Sequence, residues 1–287
     1  MALNNLFEDQ VRLLVALLPS VAGQSCFALK GGTAINLFVR DMPRLSVDID
    51  LAYLPLEDRD TSLTHIDAAL EAITADIEQL IPGINVKASA LSGTGKRFKL
   101  LVWQGDTSVK IEVTPVLRGS VYPAESRRMS PNAEKRFGFV RVPVLSFEDL
   151  YGGKICAALD RQHPRDLYDV HWLLEREGID ERLKNAFLVY LMGHNRPMAE
   201  LLAPQIRDMT PLERTDLEGM TYEPLAPGQL EGTLPRLIRE LNATMTEADR
   251  RFLLALKEGS QSWQSFPLPE VARLPAIQWR RYTTSIE

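Results

Sequence analysis

The stretch Leu29-Lys-Gly-Gly-Thr-Ala-Ile-Asn-Leu-Phe38 contains the turn that decides the fold of this chain. The apolar run at 26–29 predicts a short strand, Gly31-Gly32 predicts a tight turn, and residues 33–40 resume helical spacing. A glycine pair in front of a helix leaves backbone N–H groups free to point at a phosphate, and the helix dipole favours the negative charge. The stretch is therefore a candidate phosphate-binding turn.

A pair of carboxylates follows on the next predicted strand. The segment Val47-Asp-Ile-Asp-Leu-Ala-Tyr-Leu54 alternates apolar and polar side chains, so Asp48 and Asp50 project from one face. Such a pair can hold one or two Mg²⁺ ions together with the phosphates of a nucleotide, because hard cations prefer carboxylate oxygens. Without a cation, the two adjacent carboxylates would repel each other, and this repulsion would raise the pKa of one of them. An exposed strand end with no function is the alternative for this pair alone.

A third carboxylate lies in Val109-Lys-Ile-Glu-Val113, which alternates in the same way. Lys110 and Glu112 share one face of a strand that can lie beside the first. Glu112 would then complete an acidic triad with Asp48 and Asp50. A triad can hold two metal ions that bridge the attacking hydroxyl and the leaving pyrophosphate in phosphoryl transfer.

The rest of the pattern predicts an α+β protein, with a mixed β-sheet core and its helices at residues 1–145 and an all-helical domain at 146–287. Residues 116–137 are predicted to be polar and irregular, and residues 221–232 to form an exposed connection. Predicted strands of the core lie near 84–91, 97–104, 107–115 and 139–144, and its predicted helices near 5–19 and 63–81. Predicted helices of the second domain lie near 147–160, 165–177, 180–193, 197–203, 233–244 and 247–258.

Charge and composition limit the classes of function. The net charge of −5 over 287 residues argues against a protein that coats nucleic acid by bulk electrostatics. Between Lys87 and Arg141, however, eleven basic residues face four acidic ones, so this segment carries +7 and the remainder −12. The segment is either a solvated β-rich surface or a phosphate-facing patch. No apolar run is long enough to cross a membrane and no secretory signal is present, so we expect a cytoplasmic protein with no membrane partner.

Three sets of segments give the chain a specific resemblance. Residues 29–38 and Arg44-Leu-Ser-Val-Asp-Ile-Asp-Leu51 resemble the first motif of the AbiEii/AbiGii toxin family of nucleotidyltransferases. These are toxins of bacterial abortive-infection toxin–antitoxin systems within the DNA polymerase β-like superfamily. Leu150-Tyr-Gly-Gly-Lys-Ile-Cys-Ala157 and Arg165-Asp-Leu-Tyr-Asp169 resemble the family's Lys-then-Arg-Asp motif. The segments near 252–256 and 274–279 resemble its closing helices.

The resemblance implies a nucleotidyltransferase core, a helical C-terminal domain and an active site in the cleft between them. It assigns NTP triphosphate contacts to Gly31, Gly32, Thr33, Lys154 and Arg165. It assigns Mg²⁺ binding to Asp48 and Asp50, and a catalytic or nucleotide-positioning role to Asp166. Two positions depart from the pattern: Thr33 stands where the wider superfamily often has Ser, and Glu112 where many relatives have Asp. Independently of the family, Arg165 and Asp169 could instead belong to a structural ion-pair network. Lys154 follows Gly152-Gly153 inside an otherwise apolar helix, where a solvated lysine would be out of pattern, so its position favours a functional role.

We therefore predict a Mg²⁺-dependent nucleotidyltransferase that moves a nucleoside monophosphate from an NTP to an acceptor, with Asp48, Asp50, Glu112, Lys154 and Asp166 as its catalytic residues. The predicted acceptor is RNA, in particular the 3′ end of tRNA, because the +7 segment runs beside Glu112 and relatives modify tRNA. The predicted role is that of the toxin in a type IV-like toxin–antitoxin or abortive-infection system, with a possible cognate antitoxin protein. The alternatives are a protein or small-molecule acceptor, and a nucleotide-binding regulator without turnover.

Overall fold

The computed structural model describes residues 5–209 and 215–284. The chain divides into two compact units, one of residues 1–146 with 218–224 and one of residues 147–217 with 225–287. No helix of the described residues is long and apolar enough to span a membrane.

A seven-stranded mixed sheet forms the centre of the first unit. Its strands are β1 Phe27–Lys30, β2 Asp48–Tyr53, β3 Asn85–Ala90, β4 Arg97–Gln104, β5 Thr107–Val113, β6 Glu125–Arg128 and β7 Arg141–Val144. They lie in the order β3-β4-β5-β2-β1-β7-β6. β2 pairs antiparallel with β1 and parallel with β5, and β1 pairs parallel with β7. The mixed sheet confirms the predicted fold class.

The two faces of this sheet differ in chemistry. Helices α1 (Asn5–Ala22) and α3 (Arg59–Leu80) pack on the sheet, and the apolar alternate residues of β2 and β5 are buried. Successive side chains of a strand point to opposite faces, and the alternate residues of β2 and β5 on the other face are polar except for Ala52. We call the second side the charged face. Strand register places on it Lys30, Asp48, Asp50, Lys99, Lys110, Glu112, Arg128 and Arg141.

The helix after the glycine turn is shorter and looser than predicted. A single α-turn, α2 (Gly31–Ala34), continues into a π-helical turn at Ile35–Val39. The N–H of Arg40 donates to the carbonyl of Ile35 at 2.7 Å, an i→i+5 bond that widens the turn. Apolar periodicity does not distinguish α from π geometry, so the pattern predicted only a helix.

The sequence interpretation of 116–137 as irregular was wrong in its second half. Strand β6 and helix α4 (Pro131–Phe137) occupy most of residues 125–137. β6 has the sequence Glu-Ser-Arg-Arg, which lacks an apolar alternation, and its pairing with β7 supplies the missing stabilisation. Residues 221–232 are not one exposed connection either. Thr221 pairs with Arg44 in the first unit, and a helix begins at Gln229.

The secondary-structure elements assigned to the described residues of the second unit are all helices. They are α5 Phe147–Arg161, α6 Pro164–Arg176, α7 Glu181–Met192, α8 Met198–Leu202, α9 Gln229–Thr244, α10 Glu247–Lys257 and α11 Pro275–Thr284, with short 3-10 turns at Trp263–Ser265 and Pro269–Arg273. Close packing of α5 on α7 follows from Gly152, where an added Cβ would lie 3.1 Å from the backbone of Ala186 and Phe187.

Candidate active site

The three predicted carboxylates, two on one strand and one on another, lie on the charged face of neighbouring strands. Asp50 of β2 is the register partner of Glu112 of β5, and Asp48 is the partner of Lys110. Ile49 and Ile111, the residues between them, are fully buried on the other face. All four polar side chains are half-buried. The alternation in the sequence therefore predicted correctly that the polar residues of each strand share a face. The pairing of β2 with β5 then sets Asp50 directly beside Glu112 and Asp48 directly beside Lys110.

Lys110 lies among these carboxylates. Its Nζ is 3.1 Å from Oε2 of Glu112. Burial would lower the pKa of Lys110, but the charges of Asp48, Glu112 and Asp50 outweigh burial and raise the pKa above its ordinary value. The ammonium is therefore held in its charged form and reduces the repulsion that three carboxylates would otherwise exert on one another.

The glycine turn approaches the same group through Gly31. This residue has φ +72°, a left-handed conformation that side chains other than glycine rarely adopt. A Cβ at Gly31 would lie 2.6 Å from Oδ2 of Asp50. Glycine is thus required twice at this position, once by the backbone and once by the carboxylate against it.

Gly32 is enclosed on its other side by buried polar groups. A Cβ there would lie 2.9 Å from Nη2 of Arg44 and 2.9 Å from Oγ of Ser46. The hydroxyl of Thr33 donates to the backbone carbonyl of Asp48 at 2.5 Å. That bond fastens the turn to the start of β2. It also engages the hydroxyl hydrogen of Thr33, so a phosphate bound here would meet the backbone N–H groups of the turn instead.

The donor set suits Mg²⁺, although it does not form a closed cage. Within residues 5–209 and 215–284, no three His, Cys, Asp or Glu side chains are arranged to hold a metal ion together. Mg²⁺ in nucleotide enzymes is usually held by one or two carboxylates plus phosphate oxygens, so such a cage is not required. Asp48 and Asp50 supply two carboxylates of one strand face. Glu112 contacts Lys110 through Oε2, so metal binding by that oxygen would compete with the contact.

Lys154 and Asp166, the predicted residues of the second unit, form a buried ion-pair cluster. Nζ of Lys154 lies 2.8 Å from Oδ1 of Asp166 and 3.1 Å from Oδ2 of Asp169. Nε of Arg161 donates to Oδ2 of Asp166 at 2.5 Å. The Asp166 carboxyl is 1% exposed and the Lys154 side chain 7%. Burial would raise the pKa of Asp166, but Lys154 and Arg161 outweigh it and hold the pKa well below the ordinary value.

This cluster satisfies its own charges. Gly152 and Gly153, beside Lys154 in the sequence, face Tyr190 of α7. The glycine pair therefore serves helix packing. Arg165 is half-buried in the first turn of α6, where its backbone N–H donates to Nδ1 of His163 at 3.2 Å. The phosphate and catalytic roles that the resemblance implied for Lys154, Asp166 and Arg165 stay predictions.

Four residues near the carboxylates were not singled out as site residues from the sequence: Lys30, Arg44, Lys99 and Lys110. Lys30 is the register partner of Asp50, and Lys99 is the partner of Glu112. The alternation of Val109–Val113 placed Lys110 on the face of Glu112, which was a usable signal. Nothing local to Lys30 or Lys99 predicts the pairing, since it depends on strand register.

A cavity of about 930 Å³ lies within the second unit. It is lined mainly by apolar side chains of α8, α10 and α11, among them Met198, Leu253 and Trp279. None of the predicted catalytic or phosphate-binding residues lines it. Among the described residues, its polar lining includes the basic residues Arg250, Lys257 and Arg280 but no carboxylate that could hold a metal ion. The candidate active site is therefore the carboxylate group beside the glycine turn.

Carboxylates on adjacent strands of a mixed sheet, next to a glycine turn at a helix start, are the arrangement expected in an enzyme that transfers phosphoryl or nucleotidyl groups from nucleotides. The sequence matches the family model described as "Nucleotidyl transferase AbiEii toxin, Type IV TA system" over residues 12–283. The chain belongs to this family. It is a nucleotidyltransferase toxin of a type IV toxin–antitoxin system, as the resemblance predicted.

A solved structure shows the same fold. The nucleotidyltransferase toxin MenT4 of Mycobacterium tuberculosis H37Rv superposes with a TM-score of 0.62 at 17% identity, covering 86% of this chain and 87% of that chain. At this identity the likeness concerns the fold alone. No curated protein matches the sequence significantly.

Proposed function

We propose that this enzyme transfers a nucleoside monophosphate from an NTP to the 3′ end of RNA, with tRNA as the acceptor, in a Mg²⁺-dependent reaction in the cytoplasm. The observation that carries the proposal is the register of β2 with β5, which sets Asp50 opposite Glu112 while Gly31 lies against Asp50. The proposed consequence of this toxic activity is growth arrest of the host in an abortive-infection response.

The residues of the first unit have distinct proposed roles. The N–H groups of Gly31, Gly32 and Thr33 bind the triphosphate, and Asp48, Asp50 and Glu112 bind Mg²⁺. Divalent ions held there would offset the charge that develops on the phosphates and on the attacking oxygen. A carboxylate of the group takes the proton of the acceptor 3′-hydroxyl. The 3′-oxygen bonds to the α-phosphorus, the bond to the bridging oxygen breaks, and pyrophosphate leaves.

Basic side chains beside the carboxylates support a polyanionic acceptor. Lys99 lies directly across from Glu112, and Lys87 lies one strand further out, across from Leu101. Leu101 is 40% exposed, so an apolar contact is available between these lysines. Phosphates of an acceptor strand are attracted to such a surface, whereas a small neutral acceptor gains nothing from it.

The test is transfer with labelled substrates. The protein is incubated with each α-³²P-labelled NTP, with Mg²⁺ or EDTA, and with total tRNA, total protein or an aminoglycoside. We expect label in tRNA, pyrophosphate release, loss of both with EDTA, and no labelling of tRNA whose 3′ end was oxidised with periodate. Label in protein or drug would replace RNA as acceptor. Tight NTP binding without pyrophosphate release would favour a non-catalytic regulator.

A single variant connects the chemistry with toxicity. Asp48→Ala is expected to abolish both transfer and growth arrest while its circular dichroism spectrum stays that of the wild type. Growth arrest by a folded Asp48→Ala protein would show that toxicity does not arise at this site.

A further inference from the structure

A second basic surface lies on the charged face of the sheet, at the edge opposite to the lysines of β3 and β4. Arg128 of β6 and Arg141 of β7 are direct register partners, and both are exposed. Phe139, just before β7, is 63% exposed, and the guanidinium of Arg128 lies 5.9 Å from the centre of its ring. We call Arg128, Phe139 and Arg141 the arginine–phenylalanine patch.

The charges of this patch are only partly neutralised. Arg128 pairs with Glu134 at 2.7 Å. Arg141 donates to the carbonyl of Ser126 at 3.3 Å, and no carboxylate of the described residues lies within ion-pair distance of it. Like charges directly opposite each other on two strands are destabilising. A bound polyanion would relieve that repulsion.

The exposed ring narrows the class of ligand. Single-stranded nucleic acids bind where an aromatic side chain stacks on a base and arginines meet the phosphates. Phe139 with Arg128 and Arg141 supplies both parts. Two more arginines of this unit lie over aromatic rings, Arg12 over Phe137 and Arg136 over Tyr222, each at 5.6 Å. An acidic polypeptide could use the arginines but has no base to stack on the ring.

The distance between the arginine–phenylalanine patch and the carboxylates determines how long a ligand must be to contact both. Arg141 lies two strands from Asp50 and about four residues further along the strands, which corresponds to about 16 Å between the two backbones. Ala28 and Ala52, which lie on the same face between the patch and the carboxylates, are 1% and 2% exposed, so this part of the face is shielded from solvent. A mononucleotide cannot contact both places, whereas a strand of several nucleotides can.

We propose that the arginine–phenylalanine patch binds the body of the RNA acceptor several nucleotides away from its reacting 3′ end, with a base stacked on Phe139 and a phosphate on Arg141. This inference rests on the proposed function in taking RNA as the acceptor. It adds a binding surface on which the enzyme distinguishes a long acceptor from a short one.

Binding can be measured without any turnover. The probe is a fluorescein-labelled 12-nucleotide single-stranded RNA, followed by anisotropy between 50 and 200 mM KCl. We expect Phe139→Ala to weaken binding about tenfold. Arg141→Gln should reduce the steepness of the salt dependence by about 0.7, the loss of one phosphate contact. The controls are Leu56→Ala and Arg251→Gln, whose side chains are 51% and 72% exposed. They should bind as the wild type does.

Transfer kinetics give a second readout. We expect Phe139→Ala to lower the ratio of kcat/KM for the 12-mer to kcat/KM for a dinucleotide about tenfold. If both patch variants bind the 12-mer as the wild type does, the proposal is overturned, even if the wild type labels RNA. It is also overturned if polyglutamate displaces the RNA and Phe139→Ala changes nothing, because the patch would then recognise acidic polypeptides. Failure of the wild type to label any RNA would refute the proposed function while leaving the binding result to judge the patch.

Discussion

Two groups of charged residues in this protein combine the same residue types, carboxylates around one lysine, in different surroundings. On the charged face of the sheet, Asp48, Asp50 and Glu112 surround Lys110 and remain half-buried. In the helical unit, Asp166 and Asp169 surround Lys154, and all three are buried. In the sheet group the carboxylates raise the pKa of Lys110, and in the helical group Lys154 and Arg161 lower the pKa of Asp166.

The two groups differ in whether their carboxylate oxygens remain available to bind a ligand. In the helical cluster the carboxylate of Asp166 meets Lys154 and Arg161 on both oxygens, so its lone pairs are used within the protein. On the sheet, Lys110 lies among three carboxylates that are only half-buried, and a glycine keeps the space beside Asp50 clear of a side chain. A buried and compensated ion-pair cluster has little oxygen capacity left for a ligand, and breaking it by removing one partner destabilises the fold. A half-buried group of carboxylates remains within reach of a cation.

The largest effect that distinguishes the groups is expected from Asp50→Asn. The amide keeps the shape of the side chain but loses the charge that would hold Mg²⁺, so transfer should fall about a thousandfold or more. Thermal unfolding should hardly change. The matched control is Asp106→Asn in the exposed turn between β4 and β5, which should keep full activity. Unfolding of Asp50→Asn at a much lower temperature would make this carboxylate structural and remove the contrast.

Asp166→Asn should show the reverse pattern. Removing one partner of a buried ion pair leaves Lys154 poorly compensated and should cost about 3 to 5 kcal/mol of unfolding free energy. The double variant Lys154→Met with Asp166→Leu removes both charges of this pair but also takes the lysine from the buried Asp169, so it should recover only part of that stability. Denaturant unfolding measures both. If the folded double variant is inactive in transfer, the cluster also has the catalytic role that the family resemblance implied.

Gly31→Ala tests the contact between the turn and Asp50. The variant must strain a backbone at φ +72° and displace a carboxylate from a 2.6 Å contact, so we expect about a hundredfold loss of transfer and about 1 to 3 kcal/mol of stability. Gly83→Ala is a control at the same kind of backbone, φ +73°, with nothing near the added Cβ. It should lose stability but keep activity. Equal activity of the two variants would show that the Asp50 contact does not matter.

Acid should affect the helical cluster in a defined direction. The folded-state pKa of Asp166 lies below its ordinary value, so its ion pairs stabilise the protein above about pH 4. This stability is lost as the pH falls below 4 towards the folded-state pKa, by up to about 1.4 kcal/mol per pH unit. The double variant of Lys154 and Asp166 should show a shallower loss in urea titrations between pH 4 and pH 2.5. Equal slopes would mean that Asp166 titrates normally.

Local patterns predicted most of the sheet and the helices, because their periodicity reports burial directly. Asp48 and Asp50 on one face, and Glu112 on one face with Lys110, followed from alternation alone. Strand β6 could not be found this way, since its polar sequence is held by pairing with β7. The π-helical turn after α2 was missed for a similar reason, as its spacing fits either helix type.

The site was only partly predictable, because register joins residues that are distant in sequence. Sixty-two positions separate Asp50 from Glu112, and their pairing depends on β2 and β5 lying side by side. Lys154 illustrates the opposite difficulty. Its place in an apolar helix favoured a phosphate contact, but its partners Asp166 and Asp169 are on the next helix. A lysine in an apolar pattern indicates that a negative partner exists, and tertiary structure decides whether that partner is a ligand or a carboxylate.

The smallest predicted effect concerns Lys110 and would refine the comparison most. Its ammonium contacts Glu112 at 3.1 Å, so it occupies an oxygen that Glu112 would need for binding Mg²⁺. Lys110→Met should therefore lower the Mg²⁺ concentration for half-maximal transfer about threefold to tenfold, a modest shift because the pair is partly exposed to solvent. Calorimetric titration of Mg²⁺ into the protein with a non-hydrolysable NTP would give the same shift without turnover. Lys99→Met is the matched control, since Lys99 is the register partner of Glu112 on the other side and should leave the Mg²⁺ requirement unchanged. A higher Mg²⁺ requirement for Lys110→Met would mean that the ammonium positions the carboxylates for the metal, and the sheet group would then resemble the helical cluster more closely than its exposure suggests.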